Sequence, residues 1–439
     1  MSAEGDALAA RVLAEAWRTG APVDRVLRAA FQADTRAARA SRAVDAAGST
    51  PGLGDEGRRA VAARVHGVSA WRLTHAYALG LGLEPRPEQL AEHADAIVAR
   101  EAACAAREPG DVAAPARVRA PMAAEGAPRL PDEPALALAV TESLPPWVAS
   151  RWLDELGASA ARSLARASSR PGPIGVRASE VDHAGLVARL EAEGVRATPM
   201  RFAPRGFVLT PSGARARVDV RGSPALRGRA FEVQDEGSQL VVAACAPASS
   251  PAPLRALDAC AGSGGKTLAL LDRLGPHGAR VVAADVDAAR LADLRGRLVG
   301  LKGAHRVEIR VGGPEAWGDG PYDLVLVDGP CTALGTWRRG PDRRWHVRAE
   351  DAARHAATNR ALLAAATRVL APGGRLVFAT CTLLAEENEA VAESVGLEPV
   401  AALEGPLAAA LGAGARLTLR PDLHGADGFF VATWRASRG

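Results

Sequence analysis

The sequence predicts an α/β protein. Its largest part, residues 231–439, should form a doubly wound, mostly parallel sheet. Linker helices and a small α+β unit over 151–230 should precede it, and an all-α domain over 1–150 should come first. Three observations carry this. Short apolar runs alternate with helical stretches from about residue 231 onward, as in parallel sheets with crossover helices. The first hundred residues show a 3.6-residue apolar period. A stretch rich in Pro, Gly and Ala separates the two regions.

In chain order, Leu8, Val12, Leu13 and Ala16 share one helix face, as do Val61, Val65, Val68 and Trp71. The turn-rich "AAGSTPGLGDEG" lies between them. Residues 105–135 read as a linker. Helix is expected again over 136–170, most clearly in "PPWVASRWLDELG". "PIGVRAS", "VRATPMRF" and "GFVLT" are strand candidates around the helical "HAGLVARLEAEG". Five further strand candidates follow: "LRALDAC", "ARVVAADV", "HRVEIRV", "YDLVLVD" and "GRLVFAT". The closing "ARLTLRP" and "GFFVATWR" predict an antiparallel hairpin at the sheet edge.

Composition is that of a soluble globular chain, 48% hydrophobic and 24% charged, with a net charge of +4 that is compatible with a nucleic-acid partner. All but two of the 54 basic residues are arginine, so Lys266 stands out. The five cysteines are widely spaced without a CxxC pair, which argues against a disulfide framework and against a metal site. No signal peptide and no membrane span are expected, which points to a cytoplasmic protein, with a monomer as the default.

"LDACAGSGGKT" follows the first strand of the large sheet and opens a helix. Its glycines at 262, 264 and 265 permit a tight turn and a close ligand. The spacing is neither that of a P-loop nor a strict GxGxxG. It suits S-adenosyl-L-methionine, which has no pyrophosphate to cradle. Asp285 ends the next strand, where an acid can accept from ribose hydroxyls; Asp287 is the better candidate for capping the following helix.

"YDLVLVDGPCTALGTWRRGPDRRW" places Asp328 and Cys331 at a strand end, and Cys381 ends the neighbouring strand candidate on the same edge. Two thiols and a carboxylate beside a cofactor loop suit methylation at cytosine carbon 5. A thiolate adds at carbon 6, an acid assists near ring nitrogen 3, and a base then removes the carbon-5 proton. Cys104 and Cys245 read as core, and Cys260 as an unreactive part of the loop. Arg338, Arg339, Arg343 and Arg344 interleave with Trp337 and Trp345, which reads either as an RNA-contacting run or as a loop with a buried Trp anchor.

At these residues the chain resembles the S-adenosylmethionine-dependent RNA 5-methylcytosine methyltransferases of the Sun type. Within that family it resembles the bacterial small-subunit ribosomal RNA subgroup with a NusB-like N-terminal domain. The resemblance rests on "VQDEGSQL", "DACAGSGGKT", "DGPCTALGT", "ATCTLLAEENE" and "DGFFVA", in order. It implies a Rossmann-like catalytic domain with Cys381 as nucleophile, Cys331 assisting release, and Asp328 touching base or cofactor. It also implies a cofactor loop of Cys260, Ala261, Gly262, Ser263, Gly264, Gly265 and Lys266, with Asp285 on the ribose. Arg177 is the clearest carry-over in the small α+β unit, where Arg201 and Arg205 would also meet RNA. Two departures stand out. The loop reads Gly262-Ser263-Gly264-Gly265 where Ala-Pro-Gly-Gly is usual, and Gly312-Gly313 stands where an Asp near the adenine is usual, leaving Glu315 as a replacement. Three alternatives stay open at this point. A DNA cytosine methyltransferase would leave Cys381 without a role. An assembly protein could have kept the fold without the activity. The RNA could be a tRNA instead of ribosomal RNA.

Overall fold

The computed structural model describes residues 3–44, 53–107, 128–178, 183–212, 218, 220, 222–224, 231–246 and 254–438. The expected linker over 105–135 lies largely outside them. The chain forms two compact units. One comprises Met1–Pro171 with Trp337–Ala349, the other Gly172–Thr336 with Glu350–Gly439. The division therefore differs from the expected one in two ways. The small α+β unit belongs with the large sheet, and an inserted segment within the catalytic region belongs with the N-terminal helices.

The first unit is helical: α1 (Ala3–Thr19), α2 (Val23–Val44), α3 (Asp55–Ala78), α4 (Pro87–Glu92), α5 (Ala94–Arg107), α6 (Pro134–Glu142) and α7 (Pro146–Ser169). The expected apolar faces form its core, with Val12, Leu13, Val61, Val65 and Val68 nearly inaccessible. The inserted segment 337–349 supplies a second anchor. The rings of Trp337 and Trp152 lie 6.0 Å apart. The Arg344 guanidinium sits 5.2 Å from the Trp337 ring and donates to the carbonyls of Ser143 and Ser168 and the hydroxyl of Ser169. Trp345 donates its Nε1–H to the Ser69 carbonyl at 2.7 Å under the Arg72 guanidinium.

The second unit holds two sheets. The smaller, antiparallel one has the order β2-β3-β1-β4, built from β1 (Ile174–Ala178), β2 (Val195–Pro199), β3 (Gly206–Pro211) and β4 (Phe231–Val233). Helix α8 (His183–Ala192) packs beside it. The larger sheet contains β5 (Arg255–Asp258), β6 (Arg280–Asp285), β7 (Val307–Val311), β8 (Tyr322–Asp328), β9 (Leu370–Thr380), β10 (Glu398–Pro399), β11 (Arg416–Leu419) and β12 (Phe429–Arg435). Its order is β10-β12-β9-β8-β5-β6-β7, with β11 also paired to β12. Strands β5 to β9 are parallel and β10 to β12 run antiparallel to their neighbours. The closing hairpin forms as expected, but β12 lies inside the sheet against β9, and β11 is the outer member.

Strand β8 shows why this sheet is buried on both faces. Leu324 and Leu326 enter one apolar cluster, Val325 and Val327 the other, and all four are inaccessible. Alternation with no polar face is the mark of a sheet covered by helices on both sides. Those helices include α9 (Glu236–Cys245), α10 (Gly265–Leu274), α11 (Ala288–Leu298) and α12 (Ala349–Arg368). The order reverses around β5, whose neighbours are β6 and β8. Such a switch point opens a crevice at the carboxyl ends of the strands.

Candidate active site

Four strand ends, those of β5, β6, β8 and β9, converge on that crevice. After β5 the chain turns through Gly262 (φ 54°) and Gly264 (φ 84°), both in the left-handed region that favours glycine. A side chain at Gly264 would strike Leu294, and one at Gly262 would strike the Arg290 guanidinium. Asp285, at the end of β6, holds the turn from the side. Its carboxylate accepts from the Gly262 amide at 2.8 Å and the Asp287 amide at 2.8 Å. Asp287 caps α11 by accepting from the amides of Ala289 and Arg290, as its position suggested.

Sequence reasoning missed Asp258 at the end of β5. It is fully buried and accepts from the Thr267 hydroxyl at 2.6 Å through one oxygen, while its other oxygen has no partner. Burial pushes its pKa up to about 7, against the opposing Thr267 bond. The Cys260 thiol in the same loop is pushed up by burial and by the surrounding carboxylates. Ala261 donates its amide to the Ala284 carbonyl at 2.9 Å, and Ser263 donates to Asp293 at 3.2 Å.

Gly265 and Lys266 open α10. Lys266 reaches across to Asp328 at the end of β8, Nζ to Oδ2 at 2.7 Å, with the ammonium 5.2 Å from the Phe429 ring. Burial opposes its charge most strongly, but Asp328, Cys381 and Asp258 together outweigh it and the pKa rises. The register pairs Asp328 with Ala379, so Cys331 and Cys381 leave adjacent strand ends. Their sulfurs are 3.5 Å apart. The Gly335 amide donates to the Cys381 carbonyl at 2.9 Å, and Gly335 and Gly428 pack backbone to backbone where a side chain could not fit.

This pair is asymmetric. The hydrogen bond between the two thiols lowers the pKa of Cys381, with help from Lys266 and the Thr336 hydroxyl; burial and Asp328 oppose it. Cys331 is raised well above an ordinary thiol, first by that same bond and then by burial. Of the two, Cys381 is the thiol that ionises more readily.

Behind the thiols, Asn388 donates to the Thr382 carbonyl at 3.2 Å and accepts from the Thr380 hydroxyl, bracing the loop. Asn359 donates to the Pro330 carbonyl at 2.9 Å. The "EENE" run leads into a short helix, the four-residue α13 (Glu389–Ala392), and Glu387 turns inward. Nothing in the sequence marks that buried acid beyond its place in an acidic run.

The arginines expected to meet RNA divide. Arg177 is 5% exposed and is spent on Gln234 and Asp272, and Arg344 is inaccessible inside the helical unit. Neither presents a face to a phosphate, because each neutralises or satisfies buried groups of its own unit. Arg339 and Arg343 are exposed and Arg338 is half-buried. Trp337 is fully buried and serves as a packing anchor, while Trp345 is half-buried. Near the crevice, Glu315 accepts from the Gly313 amide at 2.7 Å, and its carboxylate lies where side chains on Gly312 and Gly313 would be.

A parallel sheet with a glycine turn, an acid on the next strand and a thiol pair at its carboxyl edge defines a nucleotide-type-cofactor transferase of the methyltransferase class. Residues 250–435 match the family model for the 16S rRNA methyltransferase RsmB/F. A ribosomal RNA small subunit methyltransferase B of Xylella fastidiosa is 35% identical over 298 residues, covering 66% of this chain and 67% of that protein. A Mycobacterium tuberculosis protein with a methyltransferase name is 38% identical over 322 residues, 71% of this chain and 67% of its own length. Among solved structures, a methyltransferase homologue from Pyrococcus horikoshii is 26% identical with a TM-score of 0.56, covering 69% of this chain and 98% of that one. The chain belongs to the RsmB/F family of methyltransferases.

Proposed function

We propose that the protein methylates carbon 5 of a cytosine in ribosomal RNA through a covalent cysteine adduct. The observation that carries this is the 3.5 Å pair of unequal thiols beside the Lys266–Asp328 bridge. The methyl donor is S-adenosyl-L-methionine, which supplies an electrophilic methyl group when bound. The residues present fit it. The turn of Cys260 to Lys266 is shaped for close approach, and the partnerless buried oxygen of Asp258 suits a donor such as an ammonium. Asp285 is placed for ribose hydroxyls, and Val286, 76% exposed beside it, offers an apolar face. Glu315 is the acid available where Gly312 and Gly313 lack one.

The chemistry of the chain's own groups follows. The Cys381 thiolate adds to carbon 6 of an unstacked cytosine, forming the C–S bond and moving the electron pair toward carbon 5. Asp328, fixed by Lys266, serves the ring near nitrogen 3. Forming the C–S bond removes the negative charge that held the proton on Cys331, so its thiol can ionise once the adduct exists. Carbon 5 uses that electron pair to take the methyl group, and the Cys331 thiol loses its proton to water. The Cys331 thiolate then takes the carbon-5 proton, the electrons of that C–H bond re-form the carbon 5–carbon 6 double bond, and the C–S bond breaks to return the Cys381 thiolate. The helical unit, NusB-like by the sequence resemblance, is assigned to RNA holding, with Arg338, Arg339 and Arg343 as its candidate contacts.

The test is transfer from a labelled methyl donor to total bacterial RNA, followed by nucleoside analysis. Label in 5-methylcytidine of small-subunit ribosomal RNA is expected from the wild type. Label in another nucleoside overturns the cytosine reading, and label confined to tRNA overturns the ribosomal one.

A further inference from the structure

We propose that Glu387 is a positioning residue that ties the loop of Cys331 to the loop of Cys381 and so sets the contact between the two sulfurs. The inference deepens the proposed function, because it rests on the thiols being the reacting groups.

Thr332 directly follows Cys331, and Thr382 directly follows Cys381. Both are buried, and their hydroxyl oxygens are 2.8 Å apart. Glu387, with no exposed surface, closes this contact from behind. Its Oε1 accepts the Thr332 amide at 2.9 Å and its Oε2 meets the Thr332 hydroxyl. One side chain thus holds the backbone of one cysteine loop and the hydroxyl pair that joins it to the other. Asn388, the next residue, holds the Thr382 carbonyl. The two positions of "EN" therefore grip the two loops separately.

The clamp closes in either protonation state. As a carboxylate, Glu387 accepts the Thr332 amide and hydroxyl. As an acid, its own O–H donates to Thr332 Oγ1, whose hydroxyl then points on to Thr382 Oγ1. Burial raises its pKa to about 7, against the Thr332 and Thr382 hydrogen bonds, and Glu386 adds to the rise. Glu386 acts on its charge, and Cys331 feels it. A carboxamide reproduces the acid: its Nε2–H donates to Thr332 Oγ1 and its carbonyl accepts the Thr332 amide.

The experiment is iodoacetamide alkylation of the full chain between pH 5.5 and 10, read at the Cys381 and Cys331 peptides by mass spectrometry. Wild type, Glu387→Gln and Glu387→Ala are compared, with melting followed in parallel. Wild type and Glu387→Gln are expected to show Cys381 reacting at lower pH than an ordinary thiol. In Glu387→Ala the loops separate and the Cys381 profile moves up by about one pH unit, a tenfold loss of thiolate at fixed pH. A residue that only stabilises the fold lowers the melting temperature and leaves the profile in place; that result overturns the proposal. If Glu387→Ala does not fold, Glu387→Asp replaces it, since the shorter arm cannot span both partners, and the same shift is expected. Alkylation needs no RNA, so loss of the methylation reading leaves this test standing.

Discussion

The connection between β8 and α12 contains two segments with opposite fates. Residues 328–336 stay with the catalytic unit, while 337–349 belong to the helical unit. Both carry chemically notable side chains: Asp328 and Cys331 in the first, Trp337, Arg338, Arg339, Arg343, Arg344 and Trp345 in the second. In the first, the backbone is pinned so that a thiol meets another thiol. In the second, the most conspicuous cation and aromatic ring are consumed as a packing anchor. Burial decides between reactivity and structure, and residue type alone does not.

The sharpest way to break this contrast is to remove each reactive thiol. Cys381→Ala should lower methyl transfer by roughly 10⁴-fold or more. Cys331→Ala should also lose turnover, but with a covalent protein–RNA species retained on a denaturing gel. Absence of that species for Cys331→Ala, and its presence for Cys381→Ala, would exchange the two roles.

Next comes the Lys266–Asp328 bridge. Lys266→Met strands a carboxylate beside the thiols, so the Cys381 pKa should rise and kcat should fall by about 10²-fold. Asp328→Asn should move the Cys381 alkylation profile the other way, toward lower pH, because Asp328 opposes its ionisation. Equal profiles for both variants would remove the bridge from the account.

Glu387 and Asp258 both have folded pKa values raised to about 7 from ordinary values of 4.5 and 3.8. For a carboxyl raised on folding, the folded state binds more protons between the two values. Stability is therefore greatest at the low-pH end and declines as pH rises toward 7. Glu387 alone accounts for a decline on the order of 3 kcal/mol. Glu387→Gln should flatten the pH dependence of denaturant midpoints over that window; an unchanged slope would mean the acid is not buried as described.

The anchor segment gives smaller effects. Arg344→Met leaves the Ser143 and Ser168 carbonyls without their donor and should cost about 1–3 kcal/mol, with the Cys381 alkylation profile unmoved. Arg339→Ala should change stability by no more than about 0.5 kcal/mol and lower the salt dependence of RNA binding by about one phosphate contact.

Much of this was legible in the chain itself. The strand ends at Asp258, Asp285, Asp328 and Thr380 follow from apolar runs ended by turn residues, and the parallel order follows from the intervening helices. Cys331 and Cys381 were placed on one edge by the same pattern. The Thr332–Glu387–Thr382 contact was not legible. It joins residues 55 positions apart, and an acidic run looks alike in sequence whether it is solvated or turned inward. Arg177 and Arg344 misled for a related reason: a cation near an expected nucleic-acid surface reads as a contact until its internal acceptors are known. Membership of 337–349 in the helical unit also depends on partners far away in sequence, such as Ser69 and Ser143.

The most direct test of the account is to map the covalent link itself. Cys331→Ala is incubated with methyl donor and ribosomal RNA, digested with nuclease and protease, and the nucleotide-bearing peptide is sequenced by mass spectrometry. The account predicts a 5-methylcytidine nucleotide on the peptide containing Cys381. A nucleotide on any other residue, or no adduct while 5-methylcytidine is still formed at the wild-type rate, would contradict it.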